Sequence, residues 1–506
     1  MARFVTLLLV ALAAVACRPV APNPTAPVYP LVLSSGRVMD PETGRDGVHD
    51  IAIVDGTIAA ISKAFLPARE RVDVTGLVVA PGFIDLHSHA QTPLGQRFQV
   101  QDGVTTALEL EAGAFPVASL GNHPPIDFAD RSRVNFGASV GHAFIRGQIL
   151  GIEFAPTGID DMYAKAMRGE ATTGIGGPAF TEPLDAAQLA RLRAQLAQGL
   201  ETGGLGIGLL LDYMTDAVSD AELRAVFEVA SAHGAPVFVH VRRGVVGDPA
   251  GLAEVLALAQ QTGAPVHICH VQSNAMSAIE AFLTMIRTAR QAGAVVTTES
   301  FPYNAGSTAI TADVFGRDWQ KIFGITYSDV EWAETGERFT EAMWEAYREK
   351  YPGGSVIHHY NREAWTRVAT LAPDVIVASD GLPPLSLEAK VPPFGIGTFS
   401  RVLGRYVREQ QALSLMIAIS KMTLLPARVL EGHAPAFTRK GRVQVGADAD
   451  LTIFDPDTIL DHATFTNPYQ PSTGITHVLV GGEFAVRDGV LMEGSASGRR
   501  MLAARD

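Results

Sequence analysis

The stretch Phe83-Ile84-Asp85-Leu86-His87-Ser88-His89 reads as a strand. Phe83, Asp85, His87 and His89 fall on one face, and Ile84, Leu86 and Ser88 on the other. Two imidazoles at i and i+2 converge on one point beyond the strand. That is ligand spacing for a borderline ion such as Zn²⁺. Taken alone, an H-x-H pair is as well explained by a wetted strand face. Its surroundings favour the metal reading. Val78-Val79-Ala80-Pro81-Gly82 leads in as an apolar run closed by a turn, and Asp85 shares the face of the histidines. A metal site needs further His and carboxylate ligands downstream.

Eight strand-like runs follow one another, with helical stretches such as Asp185–Leu200 and Asp220–His233 between most of them. The runs are Phe83–His89, Thr105–Glu111, Asn135–His142, Gly206–Leu211, Val237–Val241, Val266–Val271, Val295–Ser300 and Val375–Asp380. Alternating strands and helices argue for βα units around a parallel sheet. The fold class expected is α/β, a (β/α)8 TIM barrel, whose active site lies at the C-terminal ends of the strands.

Polar residues close several of these runs. The fifth ends in His240, the sixth in His270 and the eighth in Ser379-Asp380-Gly381. One histidine closing an apolar strand is usually a rim or core residue. Two of them, after H-x-H and before S-D-G, make a ligand set. His270, nearest its strand end, is a better ligand than His267, and Cys269 reads as a small buried hydrophobe. On the second run Glu109 and Glu111 share a face. A buried carboxylate without a cation is costly, so one of them is expected to bridge, Glu111 first. The expected cofactor is zinc, as one or two divalent ions held by His87, His89, His240, His270 and Glu111 or Glu109. Such ions lower the pKa of bound water towards ~7. Asp380 is the expected catalytic residue, taking a proton from the attacking water and giving one to the leaving nitrogen.

The chain has 506 residues, 47% apolar and 18% charged, with a net charge of −13. It can bury a large core, and its charge argues against a nucleic-acid partner. Arg3 and the apolar run Phe4 to Ala16 read as a targeting signal, too short for the ~20 residues of a membrane span. Ala14-Val15-Ala16-Cys17 resembles a bacterial lipobox. The expectation is an exported, periplasmic protein, held at a membrane by a lipid on Cys17. Cys269 is the only other cysteine. The expected organisation is 1–17 signal with lipobox, 18–27 tether, 28–80 first part of a small β-sandwich, 81–436 barrel, 437–495 second part of the sandwich, and 496–506 tail. Asp55-Gly56 marks a tight hairpin in the first part.

Gly82 to His89 resembles the first-strand signature of the amidohydrolase superfamily. Ser379-Asp380-Gly381-Leu382-Pro383, Gly397-Thr398-Phe399-Ser400-Arg401, Lys421-Met422-Thr423 and Ala449-Asp450-Leu451 look like its N-acyl-D-amino-acid deacylase (D-aminoacylase) branch. Gly141-His142 with Arg146, and Phe301-Pro302-Tyr303 with Ser307-Thr308, fit that branch too. The resemblance implies hydrolysis of a linear, non-peptide C–N bond in a small N-acylated D-amino acid, with one bearing an acidic side chain among the candidates. It also implies a β-sandwich built from both chain ends. The chain departs from the branch pattern at three places. Glu109 and Glu111 stand where the branch has a metal-ligating Cys, Gln272 where it has Lys, and Phe394 where it has the carboxylate-holding Arg. Arg242, two residues after His240, is the first replacement anchor expected, and Arg146 the second; Arg243 and Tyr303 are further candidates. His142 and Ser307 are expected beside the substrate. Two rival readings are a cyclic-amide hydrolase resembling dihydroorotase or hydantoinase, and a non-catalytic ligand-binding lipoprotein. The fourth run, Gly206 to Leu211, has no Lys for the carbamylated bridge of cyclic-amide hydrolases. Retention of Asp380 argues against a mere binding module.

Overall fold

The structure, a computed structural model, describes residues 27–124, 126–167, 175–388 and 390–503. The signal with its lipobox, and the tether except for its last residue, lie outside the described residues. All eight strand-like runs are strands of one parallel sheet, in sequence order from Phe83–Asp85 to Ile376–Val377. The first and eighth are short, and their continuations close the barrel. Ser88 bridges Gly381 in parallel, and the Asp380 N–H donates to the His87 carbonyl at 2.8 Å. The second strand, Val104–Ala114, is buried at every residue, as expected of a strand covered on both faces. The intervening helices are capped as their sequences suggest. Asp185 and Gln188 form a capping box on Ala186–Glu201, and Ser219 caps Asp220–Ala232.

The two chain ends meet in one nine-stranded sheet beside the barrel. Tyr29–Asp40 pairs with Arg45–Val54, Ala68–Asp73 and Val78–Pro81. Leu451–Phe454 then pairs antiparallel with Val78–Pro81, so the C-terminal strands add directly to the N-terminal ones. Asp55 and Gly56, both at positive φ, form the hairpin between Arg45–Val54 and Thr57–Ser62. Part of the expected tail packs onto the barrel: Phe136 N–H donates to the Arg499 carbonyl, and Met501 N–H to that of Phe136.

An insertion between the seventh and eighth strands forms a separate three-stranded sheet of Gly306–Ala309, Ser355–His358 and Val330–Trp332. Phe315, Trp319, Trp344 and Phe339 pack edge-to-face beneath it. This small core holds the insertion over the C-terminal end of the barrel.

Candidate metal centre and its cavity

Glu111 ends the inward face of the second strand, and its two carboxylate oxygens look in different directions. Oε2 lies 3.2 Å from His87 Nε2 and 3.5 Å from His89 Nε2. Oε1 lies 2.8 Å from His270 Nε2 and 3.1 Å from His240 Nδ1. Two donor sets therefore share one carboxylate: His87, His89 and Glu111, and Glu111, His240 and His270. Within each set the ligand atoms lie within 4.8 Å of one another, and every residue is buried. His87, His270 and Asp380 form a further set that overlaps both.

Electrostatics at this point favour a cation. Burial pulls the His87 pKa down, but Glu111, Asp380 and Glu299 outweigh it and hold it well above the usual histidine value. His89, likewise buried but beside Glu109, is raised to about 10. Burial and the neighbouring His240 push His270 down. Burial alone would raise Glu111, yet His87, His240 and His270 hold it well below the usual carboxylate range. Neutral imidazoles around a divalent ion meet the same demand for positive charge. The N and O donors present are those zinc takes.

A second layer orients the ligands. His89 Nδ1 faces Glu109 at 2.8 Å, and His87 Nδ1 faces Glu299 at 2.5 Å. Glu299 also accepts from His267 Nε2 at 3.0 Å and is held down to about 2; burial alone would raise it, but His87 and His267 prevail. His240 Nε2 points at Asp212 Oδ2, 3.6 Å away. Asp85, buried in the barrel, accepts from the Ser379 hydroxyl at 2.5 Å and ties the first strand to the eighth.

Backbone geometry explains how the sixth and eighth strands deliver their ligands. The inward Cys269 clusters with His87 and Glu299. Strict alternation would therefore turn His270 away. His270 has φ +32°, and this left-handed step swings its ring into the mouth. Asp380 does the same at φ +54°, directly after the inward Ser379. Such a conformation costs a non-glycine residue about 1–2 kcal/mol, and it recurs at functional positions.

The centre opens into a cavity of about 1090 Å³, its open mouth included. His89, Glu111, His240, His270 and Asp380 line one side. Ser307 lies on its wall with Thr308 and His358 of the insertion. Asp380, its side chain 21% exposed, sits at the junction with Oδ1 3.3 Å from His87 Nε2.

Four residues expected at the substrate lie elsewhere. The fifth strand ends at His240, so alternation does not carry on to Arg242. Arg242 turns outward to Glu254 at 2.5 Å and to the Val218 carbonyl. Arg146 is fully buried and forks onto Glu222 at 2.6 and 2.8 Å, and His142 shares that carboxylate at 2.8 Å. This trio joins two helices on the outside of the barrel. Tyr303 is buried against Phe394 and beneath the Arg401 guanidinium. Arg243, the residue after Arg242 and a further candidate in the sequence, does line the cavity. Asp212, Glu299 and His358 were not anticipated. Asp212 had a signal, a lone carboxylate directly after the apolar run of the fourth strand.

A model of the amidohydrolase family matches residues 78–485. An N-acyl-D-glutamate deacylase of Alcaligenes xylosoxydans xylosoxydans is 33% identical over 493 residues, covering 89% of this chain and 92% of the relative. A D-aminoacylase of the same organism is 29% identical over 474 residues, covering 90% and 94%. Among solved structures, an N-acyl-D-glutamate deacylase from Bordetella bronchiseptica, complexed with zinc and a phosphonate mimic of the reaction's tetrahedral intermediate, superposes with a TM-score of 0.75. It is 28% identical and covers 94% of this chain and 100% of its own.

Proposed function

The chain belongs to the amidohydrolase family, and from that premise we propose that it is a zinc-dependent hydrolase that deacylates N-acyl-D-amino acids. The observation that carries the reading is the double-faced Glu111, joining two histidine pairs with Asp380 beside them at the cavity mouth. The deacylase relatives support the bond type, a linear C–N amide outside a peptide chain.

Zinc held there supplies a Lewis acid and an acidified water. The protein's own residues do the rest. His87 and His89 are fixed by Glu299 and Glu109, and His240 faces Asp212, so these rings need little reorganisation during reaction. Asp380 takes the proton of the water that adds to the amide carbon. It returns that proton to nitrogen as the C–N bond breaks, leaving a carboxylic acid and a free amine. The fourth strand ends at Leu210 and is followed by Leu211-Asp212, with no lysine to carry the carbamylated bridge of cyclic-amide hydrolases.

The test is amine release by the zinc-loaded protein from a panel of N-acetyl-D- and N-acetyl-L-amino acids, with dihydroorotate and a hydantoin as controls. The expected result is turnover confined to the linear amides and at least a hundredfold D over L preference in kcat/KM. Turnover of the cyclic amides alone overturns it.

We also propose export and lipid attachment at Cys17, on the strength of Phe4 to Ala16 and the lipobox-like Ala14-Val15-Ala16-Cys17. Cys17→Ser is expected to move the protein from the membrane to the soluble fraction or to block processing. Unchanged membrane association points to another anchor.

A further inference from the structure

An N-acyl amino acid carries a carboxylate, and a carboxylate entering a largely apolar cavity needs a cation. The two positions where the deacylase branch carries its cations are closed here. Gln272 is buried with its amide on the Phe301 carbonyl, and Phe394 packs between Phe301 and Tyr303.

Arg243 occupies the opposite wall. Its side chain is only 6% exposed. Nε donates to Asn274 Oδ1 at 3.2 Å and lies 3.8 Å from Asp212 Oδ2. The guanidinium lies over the rings of Phe323 and Tyr360, 5.4 and 5.7 Å from their centroids, which fixes its plane. Among the described residues, neither terminal nitrogen has a hydrogen-bond partner. Asp212 is shared: the same carboxylate accepts from Arg317 at 2.7 Å and faces His240. Arg317 also pairs with Asp313 at 3.2 Å, whereas the two terminal nitrogens of Arg243 are left for a ligand in the cavity.

His358 stands beside it. It is 3% exposed, stacked on Tyr360 at 4.9 Å, and its Nδ1 has no partner among the described residues. Burial and the neighbouring Arg243 hold it neutral, well below the usual histidine pKa. A neutral ring brings a hydrogen-bond donor without competing for the anion's charge. Past this pair the wall turns apolar, with Ile159, Met162, Ile175 and Val314.

We infer that Arg243, with His358 beside it, is the anion subsite of this cavity, and that its ligand is a monocarboxylate whose body packs on Ile159, Met162, Ile175 and Val314. This rests on the deacylase reading in one respect, that the carboxylate is the substrate's own. The anchor differs from the branch's: it comes from the loop after the fifth strand, one residue, Asp212, away from the metal-facing His240.

The experiment compares binding of N-acetyl-D-methionine, its carboxamide and N-acetyl-D-glutamate to the zinc-loaded full chain by calorimetry, with turnover recorded in parallel. Wild type is expected to bind the acid at least tenfold more tightly than the amide, and N-acetyl-D-glutamate at least tenfold more weakly than N-acetyl-D-methionine. In Arg243→Gln the acid-over-amide ratio falls to near one. Arg243→Lys keeps the charge that Asp212 needs but loses the planar fork, and the ratio falls at least threefold. A wild-type ratio retained in Arg243→Lys, or a wild type that does not prefer the acid, overturns the subsite. Tighter binding of N-acetyl-D-glutamate overturns the monocarboxylate assignment. Preference for the acid without any turnover leaves the subsite standing and removes the deacylase reading instead.

Discussion

Glu109 lies behind His89, with its Oε2 2.8 Å from the Nδ1 of that ring. Two residues along the same strand face, Glu111 reaches past it to the metal-facing nitrogens. Two acidic residues that look alike in sequence therefore have different tasks. Glu109 fixes a ring and Glu111 joins two ligand sets.

Substitution separates them. Glu109→Gln is expected to keep the zinc stoichiometry and weaken affinity by about 10–100-fold, the usual effect of removing a ligand's hydrogen-bond partner. Glu111→Ala leaves only two imidazoles on the His240–His270 side, too few for a zinc site. That variant is expected to hold at most one ion. Equilibrium dialysis with metal analysis distinguishes the two, and equal loss in both variants contradicts the assignment.

Asp380 sits at the cavity mouth on a left-handed backbone tied to the His87 carbonyl. Asp380→Asn keeps the size and the backbone hydrogen bond but cannot accept the proton. Its kcat is expected to fall by about 10²–10⁴, with melting temperature and zinc content near wild type. Retention of most of the turnover would make Asp380 a scaffold residue.

The barrel was legible because each strand is an apolar run punctuated at its C-terminal end by a polar residue. The ligand histidines were legible for the same reason. Alternation failed where strands stop. Alternation puts Arg242 on the ligand face of His240 only if the strand continues, and it ends at His240 itself. The Arg242 guanidinium went to Glu254, and the next residue, Arg243, entered the cavity. Similarly, the positive φ of His270 lets two consecutive residues face inward, which no periodicity encodes. His358 reaches the cavity from a short strand in the insertion, many residues from any barrel strand. The pairing that puts it there, with Gly306–Ala309, is a long-range contact without a local signature.

Arg146 illustrates what that misplacement means for experiment. Fully buried and forked onto Glu222 with His142 beside it, it holds two helices together. Arg146→Ala leaves the buried Glu222 carboxylate with His142 as its only remaining side-chain partner among the described residues. The expected cost is about 3–5 kcal/mol of stability, read as a lower melting temperature. KM of the folded enzyme is expected to stay within twofold of wild type. A large rise in KM at unchanged stability would instead return Arg146 to the substrate.

Lys421, on the helix Leu415–Met422, is buried with its ammonium on the Ala372 carbonyl. Burial lowers its pKa to about 7, opposed only by Asp374. In the unfolded chain a lysine titrates near 10.4. Between these values the unfolded state binds more protons than the folded one, so stability rises as pH rises through this window. Below about 7 both states carry the charge and the burial penalty is complete. At one pKa unit per 1.36 kcal/mol, the whole window is worth about 5 kcal/mol. Lys421→Met cannot titrate. Its melting temperature is therefore expected to exceed that of wild type most at pH 7, with the gap closing steadily towards pH 9.5. The loss of the bond to Ala372 lowers the variant equally at every pH and leaves this slope intact. A gap that stays constant from pH 7 to 9.5 would mean that Lys421 remains charged in the fold and finds a counter-charge there.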